Sequence, residues 1–285
     1  MIHTSTQLKA LVRNISHGDN AKAMTLIRNF VMERFLERMS LSKYSGNLIL
    51  KGGLLIASMV GLDNRATMDI DTTIRNYNFS AEDAEKMIED IIAVPLEDGT
   101  RFTVKSVENI MDDAEYPGIR FKLEAALDNM KTPLKIDIST DDVITPKEIN
   151  YEYKLMFEER SIPLLAYNLE TVLAEKIETI ISRGTLNTRM RDYYDLMILN
   201  VVKSDAINYA DLAKALEATS RKRNSYELLS APKHILEQIK SDTGLMEQWR
   251  IYRRKYDYAA DYHWEDIVKN IEQLFKKLMQ IAETR

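Results

Sequence analysis

Cysteine is missing from this 285-residue chain, which excludes both a disulfide framework and a thiolate metal site. Glycine and proline are scarce, at 9 and 6 residues, and no tract is of low complexity, so long disordered linkers are not expected. No run approaches the roughly 18 apolar residues of a membrane span. The amino terminus, MIHTSTQLKALVRN, lacks the apolar centre of a signal peptide, and a soluble, cytoplasmic protein is the expectation. The 4 histidines are scattered without ligand spacing and are assigned no metal. An excess of positive charge is lacking too. The formal net charge of −5 argues against a broad nucleic-acid-coating surface while leaving room for a local basic footprint.

What is present is 45% hydrophobic residues, enough for a sizeable core in one large or two modest domains. Residues 20–38 predict an amphipathic helix with Met24, Ile27, Phe30, Val31 and Phe35 on one face. Ser80 is placed to cap a further helix, Ala81 to Ile92. Strand-like runs follow at Phe102 to Ile110, Ile119 to Leu127 and Leu134 to Ser139, and hairpin-like runs punctuated by Pro163 occupy Tyr153 to Tyr167. Beyond them no convincing strand occurs. The layout is α+β with a mixed sheet, and a boundary near residue 160 separates a core of residues 1–160, including N-terminal helices, from a helical lobe of residues 161–285.

The chemistry is concentrated in Leu48 to Ile74, LILKGGLLIASMVGLDNRATMDIDTTI. Leu48, Ile49 and Leu50 read as a buried strand, and Gly52-Gly53 lets the backbone turn into a short helix, Leu54 to Val60, ending before Gly61. Free N–H groups at such a helix start bind anions. Asp69 and Asp71 then flank Ile70 in a second strand, and the two-residue period sends both carboxylates to one side. In Pro133 to Ser139, Lys135, Asp137 and Ser139 share the face opposite Leu134, Ile136 and Ile138. If that strand lies beside the first, Asp137 completes a three-carboxylate cluster of hard oxygen ligands. Such a cluster suits Mg²⁺ (or Mn²⁺) and in-line phosphoryl transfer. Each element alone has a plainer reading, as a strand-end aspartate or a simple turn, and it is their order and spacing that favour the site.

Two helical segments add charge beside apolar stripes. In Asn168 to Arg183, Leu169, Val172, Leu173, Ile177, Ile180 and Ile181 recur at helical spacing, with Lys176 at the stripe's edge. A lysine there can lay its stem on the core and keep its amine in water, or bind phosphate. Glu175 points elsewhere and reads as a supporting or solvent residue. In Arg189 to Asn200, Asp192 shares a face with Leu196 and Leu199, a costly position unless it is paired. A salt bridge to Arg189 or Arg191 and a chemical role are both open, and Asp195 is the weaker candidate.

These motifs resemble the polymerase-β-like nucleotidyltransferases, and among them the AbiEii-type toxins of bacterial toxin–antitoxin and phage-defence (abortive infection) operons. The resemblance rests on KGGLLIAS, RATMDID, LAEKI and RMRDYYDL, in family order over about half of the chain. It implies a mixed-sheet nucleotidyltransferase domain plus a C-terminal helical lobe, with the active site in the cleft between them. It also implies catalytic roles for Asp69, Asp71, Lys176 and Asp192, and metal ligation by Asp69, Asp71 and Asp137. Nucleotide binding falls to Lys51, Gly52, Gly53, Arg65, Thr67 and Lys176. Gly53 departs from the pattern, standing where many members carry Ser, which removes a hydroxyl contact to the triphosphate.

The implied reaction moves a nucleotidyl group from an NTP to an acceptor hydroxyl with release of pyrophosphate. Family precedent makes a tRNA 3′ end the acceptor, and a cognate antitoxin encoded nearby the partner. A protein nucleotidylyltransferase and a non-catalytic nucleotide-binding regulator are the alternatives, and intact Asp69, Asp71 and Asp137 count against the second. Finally, Trp249 to Tyr262, WRIYRRKYDYAADY, alternates Arg250, Arg253, Arg254 and Lys255 with Trp249, Tyr252, Tyr256 and Tyr258. That pattern suits single-stranded RNA, or equally a helix with a solvated basic face and aromatic core contacts. The basic run Arg221 to Asn224 reads as loop surface.

Overall fold

The computed structural model describes residues 1–75, 80–110, 118–230 and 232–282. Two compact units divide the chain. The first takes Met1–Met59, Ala66–Asp142 and Ile149–Ala166, and the second takes Val60–Arg65, Val143–Glu148 and Tyr167–Arg285.

The first unit is built on a mixed seven-stranded sheet. Its strands are β1 (Leu48–Lys51), β2 (Asp69–Ile74), β3 (Thr100–Ile110), β4 (Gly118–Leu127), β5 (Met130–Thr140), β6 (Ile149–Lys154) and β7 (Ser161–Ala166), in spatial order β3-β4-β5-β2-β1-β7-β6. β3, β4 and β5 form an antiparallel meander, β5 runs parallel to β2, and β1 runs antiparallel to β2 and parallel to β7. Alternation decides the faces. Ile119, Phe121, Leu123, Leu134, Ile136 and Ile138 are buried on one side, while Arg120, Lys122, Lys135 and Asp137 occupy the other. β1 lies inside the sheet, and its Leu48, Ile49 and Leu50 are all buried, as a strand covered on both faces requires. Pro163 is tolerated in β7 because the ladder to β1 begins only at Leu165, so its missing N–H is not needed there.

Helices α1 (Ser5–Ser16), α2 (Asn20–Leu41), α3 (Gly52–Val60) and α4 (Ala81–Ile92) accompany the sheet, α2 packing on β5 and β7 and α4 on β3 and α2. Ser80 caps α4 as its sequence requires, accepting from Asp83 N at 3.1 Å. α2 departs from the simple amphipathic reading. Phe30, Val31 and Phe35 are buried, but Met24 is 51% exposed. Every residue from Asn29 to Met39 is buried, so this part of the helix has no solvent face. Its charges are therefore paired: Arg38 grips both oxygens of Asp98 at 2.7 and 2.8 Å, and Arg160 grips Glu37 at 2.6 and 3.0 Å. Pairs of this kind add little net stability but are costly to break singly.

The second unit is helical among the described residues, with α5 (Leu169–Arg183), α6 (Met190–Val202), α7 (Tyr209–Lys222), α8 (Pro232–Ser241), α9 (Thr243–Lys255) and α10 (Trp264–Ala282). Asn168 caps α5 by accepting from Thr171 N at 2.7 Å, and its amide donates to the carbonyls of Thr145 and Lys147. α5 packs on α6 and α7, and α10 on α6, α7 and α8. The basic run Arg221 to Asn224 is loop surface only in part, with Arg221, Lys222 and Asn224 exposed and residues 223 and 224 in a turn. Arg221 and Lys222 close α7, and the Arg223 side chain is only 7% exposed, bonded to Glu178 at 2.6 Å and Glu175 at 3.1 Å. Glu175 and Glu178 supply the counter-charge that makes this burial affordable. Among the described residues no helix is long and apolar enough to cross a membrane.

Candidate active site

The glycine turn is built for close approach. Gly52 opens α3 at φ +67°, a left-handed backbone that L side chains rarely adopt. A Cβ placed there would lie 2.1 Å from Asp71 Oδ2. Gly53 N–H donates a long hydrogen bond, 3.4 Å, to the same oxygen. The helix starts two residues before the Leu54 expected from the apolar run, so both glycines belong to its first turn. Asp71 thus lies against the turn, while Thr67 is buried just ahead of β2.

Register then assembles a row of charges across four strands. Lys51 of β1 is paired with Asp71 of β2, Asp71 with Asp137 of β5, and Asp137 with Arg120 of β4. Directly opposed residues share a face, so the row reads positive, negative, negative, positive. Arg120 holds Asp137 with two parallel bonds at 2.8 and 2.7 Å, the geometry in which a guanidinium fork fits a carboxylate. Lys135 holds Asp69 at 2.7 Å. Lys51 is ion-paired with Asp142, whose carboxylate is fully buried and also accepts from Ser139 Oγ at 3.0 Å. Burial, then the neighbouring Asp137, and to a lesser extent Asp69 push the Asp71 carboxyl above the usual carboxylate range, against Lys51 and the Gly53 N–H.

The three aspartates fit a hard divalent cation by chemistry. They supply oxygen donors on adjoining strands, and Asp71 is under like-charge repulsion that a cation relieves. They are not yet a closed cage, since Arg120 and Lys135 occupy the outer two. Among the described residues no group of three acidic or imidazole side chains is gathered closely enough to hold a metal ion as it stands.

A second cluster lies wholly in the second unit. The Lys176 amine on α5 meets Asp192 Oδ1 at 2.7 Å and Asp195 Oδ2 at 3.3 Å, both on α6. Arg65 Nε and Nη2 meet the two Asp195 oxygens at 2.5 and 3.2 Å. The Arg65 guanidinium, expected to bind nucleotide, is therefore committed to Asp195 and only 3% exposed. Burial alone would lower the Lys176 pKa, but Asp192 and Asp195 outweigh it and hold the amine above its ordinary value. Burial would raise Asp195, and Arg65 and Lys176 together hold it low. Asp192 differs from its neighbour. Its Oδ2 is buried without a hydrogen-bond partner among the described residues, with Arg189 Nε at 3.5 Å.

Sequence patterning singled out Asp69, Asp71, Asp137, Lys176 and Asp192, named Asp195 as the weaker candidate beside Asp192, and passed over Arg120 and Asp142. Arg120 was signalled by the alternation Ile119-Arg120-Phe121-Lys122-Leu123, which puts it on the polar face. The aromatic stretch after α8 is interior in its first part: Trp249 and Tyr252 are 1% and 7% exposed, so neither offers a ring to a base. Arg250 is held by Glu247 at 2.7 and 2.6 Å, and Arg253 by the Ala260 carbonyl.

Two structures from Helicobacter pylori cover most of the chain. One, a protein assigned as a nucleotidyltransferase, is 18% identical over 90% of this chain and 97% of its own, with a TM-score of 0.50. The other, JHP933, is 17% identical over 91% and 95%, with a TM-score of 0.49. An antigenic nucleotidyltransferase-like protein from Paracoccidioides brasiliensis is 16% identical over 81% and 94%, with a TM-score of 0.38. At such identity the first of these shows a shared fold and no more. No curated protein matches the chain in sequence. Residues 34–273, however, match the sequence profile described as the nucleotidyl transferase AbiEii toxin of type IV toxin–antitoxin systems, and the chain belongs to that family of nucleotidyltransferases.

Proposed function

We propose that this nucleotidyltransferase is a Mg²⁺-dependent (or Mn²⁺-dependent) toxin that transfers a nucleotidyl group from an NTP to the terminal hydroxyl of a tRNA, acts in phage defence, and is held in check by a cognate antitoxin. The observation that carries the reading is the charge row across β1, β2, β5 and β4, which sets two candidate metal-binding carboxylates, Asp71 and Asp137, side by side against a glycine turn. Asp69, Asp71 and Asp137 would hold the cation, which would neutralise charge developing on the transferring phosphate.

The remaining work falls to this chain's own groups. The first-turn N–H groups of α3 and the Lys51 amine bind phosphate oxygens. Lys176 supplies a further point charge, set in place by Asp192 and Asp195. Arg65 acts through Asp195, fixing the carboxylate that orients Lys176. Asp192 Oδ2, buried with an unused lone pair, accepts the acceptor hydroxyl's proton as its oxygen bonds to the α-phosphorus and the bond to pyrophosphate breaks.

The test supplies α-³²P-labelled NTPs one at a time with Mg²⁺ and total RNA plus cell lysate. Label in tRNA that disappears in Asp71→Ala and Asp192→Asn is the expected result. Label confined to protein would replace the acceptor with a side-chain hydroxyl, and no transfer with any NTP would overturn the reading.

A further inference from the structure

The aromatic and basic stretch at the end of α9 divides in two once its burial is known. Trp249 and Tyr252 face the core, Trp249 Nε1 donating to the Tyr262 carbonyl at 3.0 Å. Tyr256 and Tyr258 are half-buried and stacked on each other, with ring centroids 5.3 Å apart and planes 20° from parallel. Cations gather round them. Arg191, in the first turn of α6, places its guanidinium carbon 5.8 Å from the Tyr256 centroid and its Nη2 3.3 Å from the Tyr256 hydroxyl. The Lys255 amine lies 5.5 Å from the same ring, and Arg254 and Arg189 are exposed nearby in sequence. Among the described residues Arg191 and Lys255 are attached to the Tyr256 ring, whereas Arg250 and Arg253 are held by a carboxylate and a carbonyl.

The pair also adjoins the Lys176 cluster. Tyr194, one residue before Asp195, lies 4.9 Å from Tyr258, and its hydroxyl donates to the Asn64 carbonyl at 2.6 Å, next to Arg65. Arg191 immediately precedes Asp192.

We infer that Tyr256, Tyr258, Arg191 and Lys255 form the docking platform for the single-stranded end of the RNA acceptor. This rests on the nucleotidyltransferase reading proposed above. Half-exposed rings stack only on bases free of a duplex, and guanidinium and ammonium groups beside them take the intervening phosphates. Asp257 and Asp261 in the same stretch keep its net charge small, so the platform suits a short strand end rather than the length of a duplex.

The test measures binding of a fluorescent single-stranded RNA 12-mer, and of a duplex of equal length, by anisotropy over a salt series. NTP binding is followed separately by calorimetry. Tyr256→Leu should weaken single-strand binding roughly five- to a hundredfold, the range for losing a stacked base, while Tyr256→Phe stays within about twofold of wild type. Arg191→Gln with Lys255→Gln should lower the log–log salt slope by about 0.7 per lost phosphate contact and leave NTP binding unchanged. These surface cations carry the test if Tyr256→Leu fails to fold. Wild-type affinity and slope in the variants, with wild-type protein labelling RNA, would overturn this inference alone. So would equal losses in the Phe and Leu variants. Label entering only protein would overturn the acceptor reading and the platform with it.

Discussion

Gly52→Ala puts the geometry of the turn to its most direct test. Two costs add. The left-handed φ of +67° strains any L side chain by about 1–2 kcal/mol. The new Cβ would lie 2.1 Å from Asp71 Oδ2 and 2.7 Å from its Cβ and Cγ. Strand and turn must then part by about 1 Å, an overpacking that costs roughly 1–3 kcal/mol. The total of about 2–5 kcal/mol lowers the melting temperature by roughly 4–20 °C for a body of this size. The same displacement moves Asp71 away from the first turn of α3, and about 1 Å of misplacement costs on the order of a hundredfold in transfer rate. Thermal melts and urea titrations measure the first effect and labelled-NTP transfer the second. A double-mutant cycle with Asp71→Ala isolates the contact: without Oδ2 and Cγ the alanine should cost about 0.5–3 kcal/mol less, the coupling expected of touching residues. An equal cost in both backgrounds, or a Gly52→Ala protein with wild-type stability and rate, would mean that the turn has room for a Cβ beside Asp71.

Three further outcomes follow from the buried and paired ionisable groups. Lys176→Ala takes from buried Asp192 its 2.7 Å partner and from Asp195 one of its two cations, and Asp195→Asn removes the carboxylate that buried Arg65 and Lys176 share, and each should cost about 3–5 kcal/mol of stability by denaturant titration. Since Lys176 titrates above the ordinary lysine range, its contribution is complete at neutral pH and lost only as alkaline pH passes its raised value, so a loss near pH 7 would contradict the pairing. Glu33, buried against Met156 N at 2.9 Å and Asn29 at 2.8 Å, has its carboxyl pushed up to about 8, chiefly by burial. The folded state therefore holds a proton the unfolded chain releases, and stability is full below the ordinary value near 4.5 and falls as pH rises towards 8. Glu33→Gln should flatten that fall, and an unchanged pH profile would remove Glu33 from it. Arg120→Gln frees Asp137 from its bidentate partner and should tighten Mn²⁺ binding by calorimetry, whereas weaker binding would mean that Arg120 supports the cation site rather than competing for it.

What the sequence determined by itself was everything that depends on a local period. The two-residue strand repeat was enough to put Asp69 and Asp71 on one side of a strand and Asp137 on the polar side of another. Ser80 marked a helix start because a cap bonds only two or three residues ahead. Met24 and Arg223 were misjudged because burial is set by neighbours that a local pattern does not contain. Met24 lies outside the fully enclosed part of α2, and Arg223 goes inside because Glu175 and Glu178, more than forty residues away, are there to meet it. That β5 lies parallel beside β2 with Asp137 opposite Asp71, that Arg120 closes the row, and that Asp195 is gripped by an arginine 130 residues earlier in the chain came from the folded arrangement alone. Period and capping energies act over a few residues and are written in them. Pairing register and buried ion pairs depend on which distant segments the whole chain brings together, because a charge can be buried only where its partner is buried with it.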